Sequence, residues 1–254
     1  MRRLSGRVVL VAAFLVLGAS GGCSFFSGEK KEKPPSLEFS LESPYSTVRT
    51  LAVAPAINLS PSRDFDGLKV SDTLYEEMQQ VRDLNVLPLN KTLVAMRRLG
   101  MRDISDPKAA QKLAEALGAD GLVIPAVTAY DPYDPPTVGM ILQLYTPASD
   151  PLKNDADGPL SRPETLHSNP ANPTVVAEAA GGPAQPVSQV SAVFNGGNQT
   201  VIAELKVFAD GRAPYDSALR ERTFLLDTDE YMRFVCHAMV RRLMDVERTR
   251  VSDR

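Results

Sequence analysis

Asp131 and Asp134, in the run Asp131-Pro132-Tyr133-Asp134-Pro135-Pro136, are the carboxylates of this 254-residue chain whose spacing comes nearest to chemistry. Two such oxygens on one side of a turn could hold Ca²⁺ or share acid–base work. Asp before Pro is also ordinary turn chemistry, and the turn is favoured. Asp131, Tyr133 and Asp134 are therefore expected to form a docking turn, with no residue assigned to catalysis or to a metal.

The other reactive side chains are few. The two histidines are His167 and His237, and a His-based triad or zinc site would need partners whose spacing is absent. His237 stands beside the stripe Tyr231, Phe234, Val235, Ala238, Met239 and Leu243, which predicts a helix-surface or partly satisfied core position. Cys236 lies within that stripe and reads as a small buried apolar residue rather than a reactive thiol. Gly181-Gly182 and Gly196-Gly197 have no following Lys in a Walker arrangement, so phosphate binding is not expected.

Cys23 is the exception. Arg2, Arg3 and Arg7 precede the apolar run Val8 to Leu17, and small residues lead through Ala19-Ser20-Gly21-Gly22 to Cys23. This is the charge and size pattern of a secretory leader. The final five residues resemble the bacterial lipobox, departing from it at Ser20, where an aliphatic is usual. That resemblance implies a diacylglyceryl group on Cys23, and usually an added acyl chain after cleavage. Ordinary cleavage near Ser20 or an uncleaved leader are the competing outcomes. The latter is disfavoured because the apolar run falls short of the ~20 residues a bilayer needs. Several acyl chains hold a protein stably on a membrane. Ser24 is not the Asp that retains many lipoproteins in the inner membrane, so an outer-membrane address facing the periplasm is expected.

Charge and cysteine count narrow the classes further. The chain has 28 basic and 31 acidic residues, a net −3. Loss of residues 1–22 with their three arginines leaves 25 against 31, or −6. That balance lacks the basic footprint of a nucleic-acid binder. With Cys23 acylated, Cys236 has no partner and a mature monomer can hold no disulfide. No cofactor is implied.

The elements that must position these residues alternate. Val48 to Ile57 reads as a buried strand, and Val70, Leu74 and Met78 as a helix within Asp66–Gln80. Leu84 to Leu89 is a second strand, followed by a helix capped by Asn90 and stopped at Gly100. Asp106 at the N-cap, Pro107 in the first turn and Gly118 at the end bracket a third helix. Gly121 to Tyr130 and Val138 to Tyr145 form a hairpin about the Asp/Pro turn. A strand at Val187 to Phe194 precedes a helix from about Gly197 to Asp210, stopped by Gly211. A last helix starts at the capping arrangement Asp227-Thr228-Asp229-Glu230, with Glu230 reaching back, and runs to about Glu247.

Strands alternating with helices predict an α/β domain of two or three layers, with a mixed sheet of about four to five strands. Its expected limits are 47–248, after a leader (1–22) and a lipidated, mixed-charge tether (23–46), with a tail at 249–254. Residues 147–186 hold eight of the chain's 20 prolines and no aromatic residue, which predicts a disordered insertion.

Two segments resemble a known group. Leu51-Ala52-Val53-Ala54-Pro55-Ala56-Ile57-Asn58-Leu59-Ser60 is similar to the opening of the curli-secretion lipoproteins, the penicillin-binding-protein activator lipoproteins and the amino-terminal domain of TolB. Leu117-Gly118-Ala119-Asp120 and the strand after it resemble the same group's second hallmark. Pro125 departs from the pattern, where Gly is general, and argues for a sheet edge or a bulge. The 131–136 turn and the C-terminal part resemble uncharacterised planctomycete-like lipoproteins. The resemblance implies a periplasmic α/β domain that docks other envelope components. A subunit of an outer-membrane secretion pore and a hydrolase of wall or polysaccharide working through Asp131 and Asp134 are the alternatives.

Overall fold

The computed structural model describes residues 41–104, 106–147, 185–210, 212, 219 and 221–252. The leader, Cys23, most of the tether, nearly all of the 147–186 segment, His167 and Gly211 lie outside them. The described elements run β1 (Arg49–Val53), β2 (Ile57–Asn58), α1 (Gly67–Met78), β3 (Leu84–Leu87), α2 (Leu89–Arg98), α3 (Pro107–Leu117), β4 (Gly121–Asp131), β5 (Thr137–Tyr145), β6 (Ser188–Asn195), α4 (Gln199–Asp210), α5 (Glu221–Leu226) and α6 (Thr228–Ser252).

Local signals account for several helix ends. Asp66 caps α1 by accepting the amides of Leu68 and Lys69 at 3.0 and 3.2 Å. Asp106 accepts the Ala109 amide at 2.7 Å, Pro107 opens α3, and Gly118 closes it at φ 62°, where a Cβ would cost energy. Two expectations are corrected. Helix α2 starts one residue before Asn90, with Pro88 at its N-cap and no side-chain cap, so Asn90 sits inside the first turn. Asp227 does cap α6, accepting from Asp229 and Glu230, but the Glu230 carboxylate turns to Arg233 at 3.2 Å instead of reaching back. The helix also continues to Ser252, because Glu247 is drawn into the interior.

The sheet order is β3-β1-β4-β5-β6, with β2 beside β4. Strands β3, β1 and β4 are parallel, whereas β5 and β6 are antiparallel to their neighbours. The expected strand Val48–Ile57 is split at Pro55, where the chain breaks ladder pairing. The β1 register ends at Val53↔Val123 and β2 resumes at Ile57↔Ala126. Pro125 falls opposite that interruption. It stands in a central strand, not at an edge, tolerated because the neighbouring ladder is absent where its missing N–H would bond. The bulge lies further along, between Val127 and Ala129.

Period-2 alternation sends successive β1 side chains into two cores. Leu51 and Val53 join Leu74, Met78, Leu142, Phe194, Phe234 and Met239 on one face. Ala52 and Ala54 join Ala110, Leu113, Leu122 and Ile124 on the other. The result is a three-layer α/β domain, with α1, α4, α5 and α6 on the first face and α2 and α3 on the second. Five strands lie on the main path, and β2 makes a sixth. Helix α5 has no counterpart in the sequence reading: its six residues bury only Phe224 and are too short for a periodic signal.

Candidate functional site

The hairpin between β4 and β5 carries the three residues singled out from the sequence. Asp131 ends β4, and its Oδ1 accepts the Tyr133 amide at 3.1 Å, an Asx turn that fixes the next two residues. Tyr133 and Asp134 project into solvent, with Tyr133 76% exposed. The Asp134–Pro135 peptide is cis.

The base of this turn is clamped from β6. The Gly196 amide donates to the Pro136 carbonyl at 2.8 Å, and Asn195 Oδ1 accepts the Gly197 amide at 2.8 Å. A Cβ at Gly196 would stand 3.0 Å from both Pro136 Cδ and Leu225 Cδ2. Glycine there lets the two turns approach closely, which is a packing reason for the Gly pair that had no phosphate-loop context.

On the same end of the sheet, Tyr130 meets Phe65 edge to face, with centroids 5.7 Å apart. Burial raises the Tyr130 phenol above its ordinary pKa, and the Asp229 carboxylate adds to the shift. Phe65 lies in the loop before α1, beside an open groove of about 470 Å³ lined by Pro55, Ala56, Arg63 and Asp64. Neighbouring Lys69 pairs with Asp229 at 2.7 Å, tying α1 to the start of α6.

Both hallmark segments serve the frame. Asp120 Oδ2 accepts the Thr50 amide at 2.7 Å and its Oδ1 pairs with Arg49 at 3.4 Å, so the second residue after the α3 cap locks the start of β1. Asn58 Oδ1 accepts the Ser60 amide at 2.9 Å, while Ser71 Oγ accepts the Ala56 amide at 2.7 Å.

The Asp131 oxygen nearest its neighbours is engaged by a backbone amide, and among the described residues no group of three or more His, Cys, Asp and Glu could hold a metal ion.

The strongly bonded carboxylates are elsewhere, and sequence reasoning missed them. Glu77, 1% exposed, accepts from Arg212 at 2.8 Å and meets His237 Nδ1 at 3.1 Å. Glu247, fully buried, accepts from Tyr45, Ser188 and Arg250. The one available signal was position: each falls on its helix's apolar stripe, beside Met78 and after Leu243-Met244. His237 is thus a satisfied core residue, and Cys236 is buried with its thiol pKa pushed up by desolvation and then by Glu77.

No family model matches the chain, and no curated protein matches it. Among solved structures, it is similar to the LpoB C-terminal domain from Salmonella enterica at 14% identity, covering 42% of this chain and 77% of that one, TM-score 0.35. It is also similar to lipoprotein GNA1162 from Neisseria meningitidis, at 21% identity, 39% and 69% coverage and TM-score 0.34. The PelC dodecamer structure from Paraburkholderia phytofirmans matches at 10% identity, 80% and 93% coverage and TM-score 0.37. At these identities and scores, none of the three decides what this chain does.

Proposed function

We propose that this chain is an envelope lipoprotein, anchored through Cys23, whose folded domain docks other envelope proteins without catalysing a reaction. Asp131, Tyr133 and Asp134 form a docking surface, and the protein sits at the outer membrane facing the periplasm. The observation that carries the proposal is the presentation of Tyr133: a large aromatic side chain, 76% exposed, on a turn held by an Asx bond and clamped to a second turn. Rigidly presented Tyr residues are favoured anchors of interfaces because they bury much area at little entropic cost. Ile57, Leu59 and Leu68 are exposed apolar residues as well, Ile57 and Leu59 beside the half of β4 that leads into the hairpin. A lipid anchor raises local concentration, so modest contact area suffices. Neither the secretion-pore subunit nor the carboxylate hydrolase has a specific observation in its favour.

The test places a photo-crosslinking amino acid at Tyr133 in cells, with the exposed α4 residue Val207 as control. Discrete protein adducts at 133 that are absent at 207 are expected. The same pattern at both positions, or none at 133, would remove the docking turn. Intact mass of the mature protein reads acylation of Cys23 independently.

A further inference from the structure

The layer formed by α2 and α3 carries the opposite charge to the rest of the domain. Residues 88–118 hold six basic against three acidic residues, whereas the other described residues hold 12 basic against 18 acidic. The six are Lys91, Arg97, Arg98, Arg102, Lys108 and Lys112, all exposed. Among the described residues none of them is in an ion pair, although ten of the other twelve are. Of the three carboxylates, Asp106 is already engaged by the Ala109 amide at the α3 cap. Lys91, Val94 and Arg98, spaced by three and four, share one face of α2, and Val94 is 43% exposed.

We propose that this layer lies against the anionic phospholipid surface of the membrane that holds the anchor. Unpaired cations interleaved with an exposed apolar side chain are the pattern of an interfacial helix: the aliphatic stems rest at the acyl boundary while the charges meet headgroups. Each cation brought near an anionic leaflet favours binding by about fivefold. Charges spread over two helices fit a surface of laterally mobile headgroups better than one small bound anion. Arg97 and Arg98 also stand in the last turn of α2, where they complement the helix dipole. That role accounts for neither Arg102 nor the two lysines of α3.

Here the inference rests on the lipid anchor proposed above, which brings a bilayer within reach. The 17 residues between Cys23 and Leu41 extend to at most ~60 Å, enough for any face of the domain to meet it. The chain's own 148–184 stretch, with five acidic and two basic residues, is the other anion at hand. It joins the described domain between β5 and β6, whereas α2 packs on β1, with β4 standing between β1 and β5. Its net −3 over 37 residues is also sparse beside a leaflet of anionic headgroups.

The test measures partition of the full mature chain carrying Cys23→Ser, so that no acyl group contributes, onto vesicles of equal parts phosphatidylglycerol and phosphatidylethanolamine. Phosphatidylcholine vesicles are the neutral control. Binding to the anionic vesicles alone, falling as salt rises, is expected. Each of Arg97→Gln, Arg98→Gln and Arg102→Gln should weaken it by about fivefold, and the three together by about a hundredfold. The three matching lysine variants keep the charge and should bind within about twofold of the parent. Arg222→Gln, which removes an exposed arginine on the other face of the sheet, should change nothing. Equal binding to phosphatidylcholine, or arginine variants that bind as the parent does, would overturn the proposal. So would soluble polyglutamate bound as tightly as the vesicles, which would assign the layer to an acidic protein. Faster hydrogen exchange within 148–184 in the triple glutamine variant without vesicles would overturn it too, assigning the layer to the chain's own stretch. Acylation of Cys23 is read separately by intact mass, so failure of the anchor and failure of the lipid-facing layer are distinguishable.

Discussion

The Tyr45 hydroxyl donates to Glu247 Oε2 at 2.6 Å, joining residues 202 positions apart in a carboxylate site that also takes Ser188 and Arg250. One buried group thereby fastens the entering chain, the first residue of β6 and the last turns of α6.

Burial alone would raise the Glu247 pKa, but the bonds from Arg250, Ser188 and Tyr45 outweigh it and hold the carboxyl below its ordinary value. A depressed folded pKa contributes stability that is present above the unfolded value, about 4.3, and lost as pH falls through the folded one. Melting temperature of the wild type should therefore fall on acidification below about pH 4.3 more steeply than that of Glu247→Gln. Tyr45→Phe should cost about 1.5–3 kcal/mol at neutral pH, read by urea denaturation. The Tyr45 phenol is raised well above its usual pKa by burial first and by Glu247 next. Its contribution is complete below about pH 10 and fades above it, so the alkaline loss should shrink in the phenylalanine variant.

Glu77 joins α1 to α6 through His237 and to the end of α4 through Arg212, whose guanidinium also stacks 4.2 Å from the Phe208 ring centroid. Glu77→Ala leaves Arg212 and His237 without their shared acceptor. The expected cost is about 3–5 kcal/mol in chemical denaturation, the range for breaking a buried pair.

Cys236 should be inert in the folded protein. Its thiol is fully buried and its pKa is pushed far up by desolvation, so little thiolate forms and no reagent reaches it. A thiol-reactive dye at pH 8 should label it at the global unfolding rate, and labelling independent of denaturant would contradict the packing.

Gly67 opens α1 against the β1–β2 corner, and a Cβ there would sit 2.6 Å from the Ala56 carbonyl oxygen. That oxygen belongs to backbone and cannot swing aside. Gly67→Ala should destabilise by about 1–3 kcal/mol. A melting temperature equal to wild type would show that the corner is loose.

Signals confined to a few adjacent residues were legible from the sequence. Asp106, Pro107 and Gly118 delimit α3 because a cap needs only its own neighbours, and the Asp/Pro run marks the hairpin because a turn closes within four residues. The α/β class and the burial of Cys236 followed from apolar spacing alone. Tertiary structure decided the rest. Pro125 is tolerated in a central strand because Pro55 interrupts the strand beside it, a pairing across 70 residues of sequence. Glu77 and Glu247 stand on apolar stripes with no partner close by in sequence that explains burial, and become interior fasteners because Arg212, His237, Tyr45 and Ser188 arrive from other elements. Asp131 and Asp134, the pair whose spacing suggested chemistry, lie at the surface, and among the described residues no distant His, Cys, Asp or Glu joins them in a metal-holding group: local spacing sets an element's ends, and only the packing of elements sets a side chain's partners.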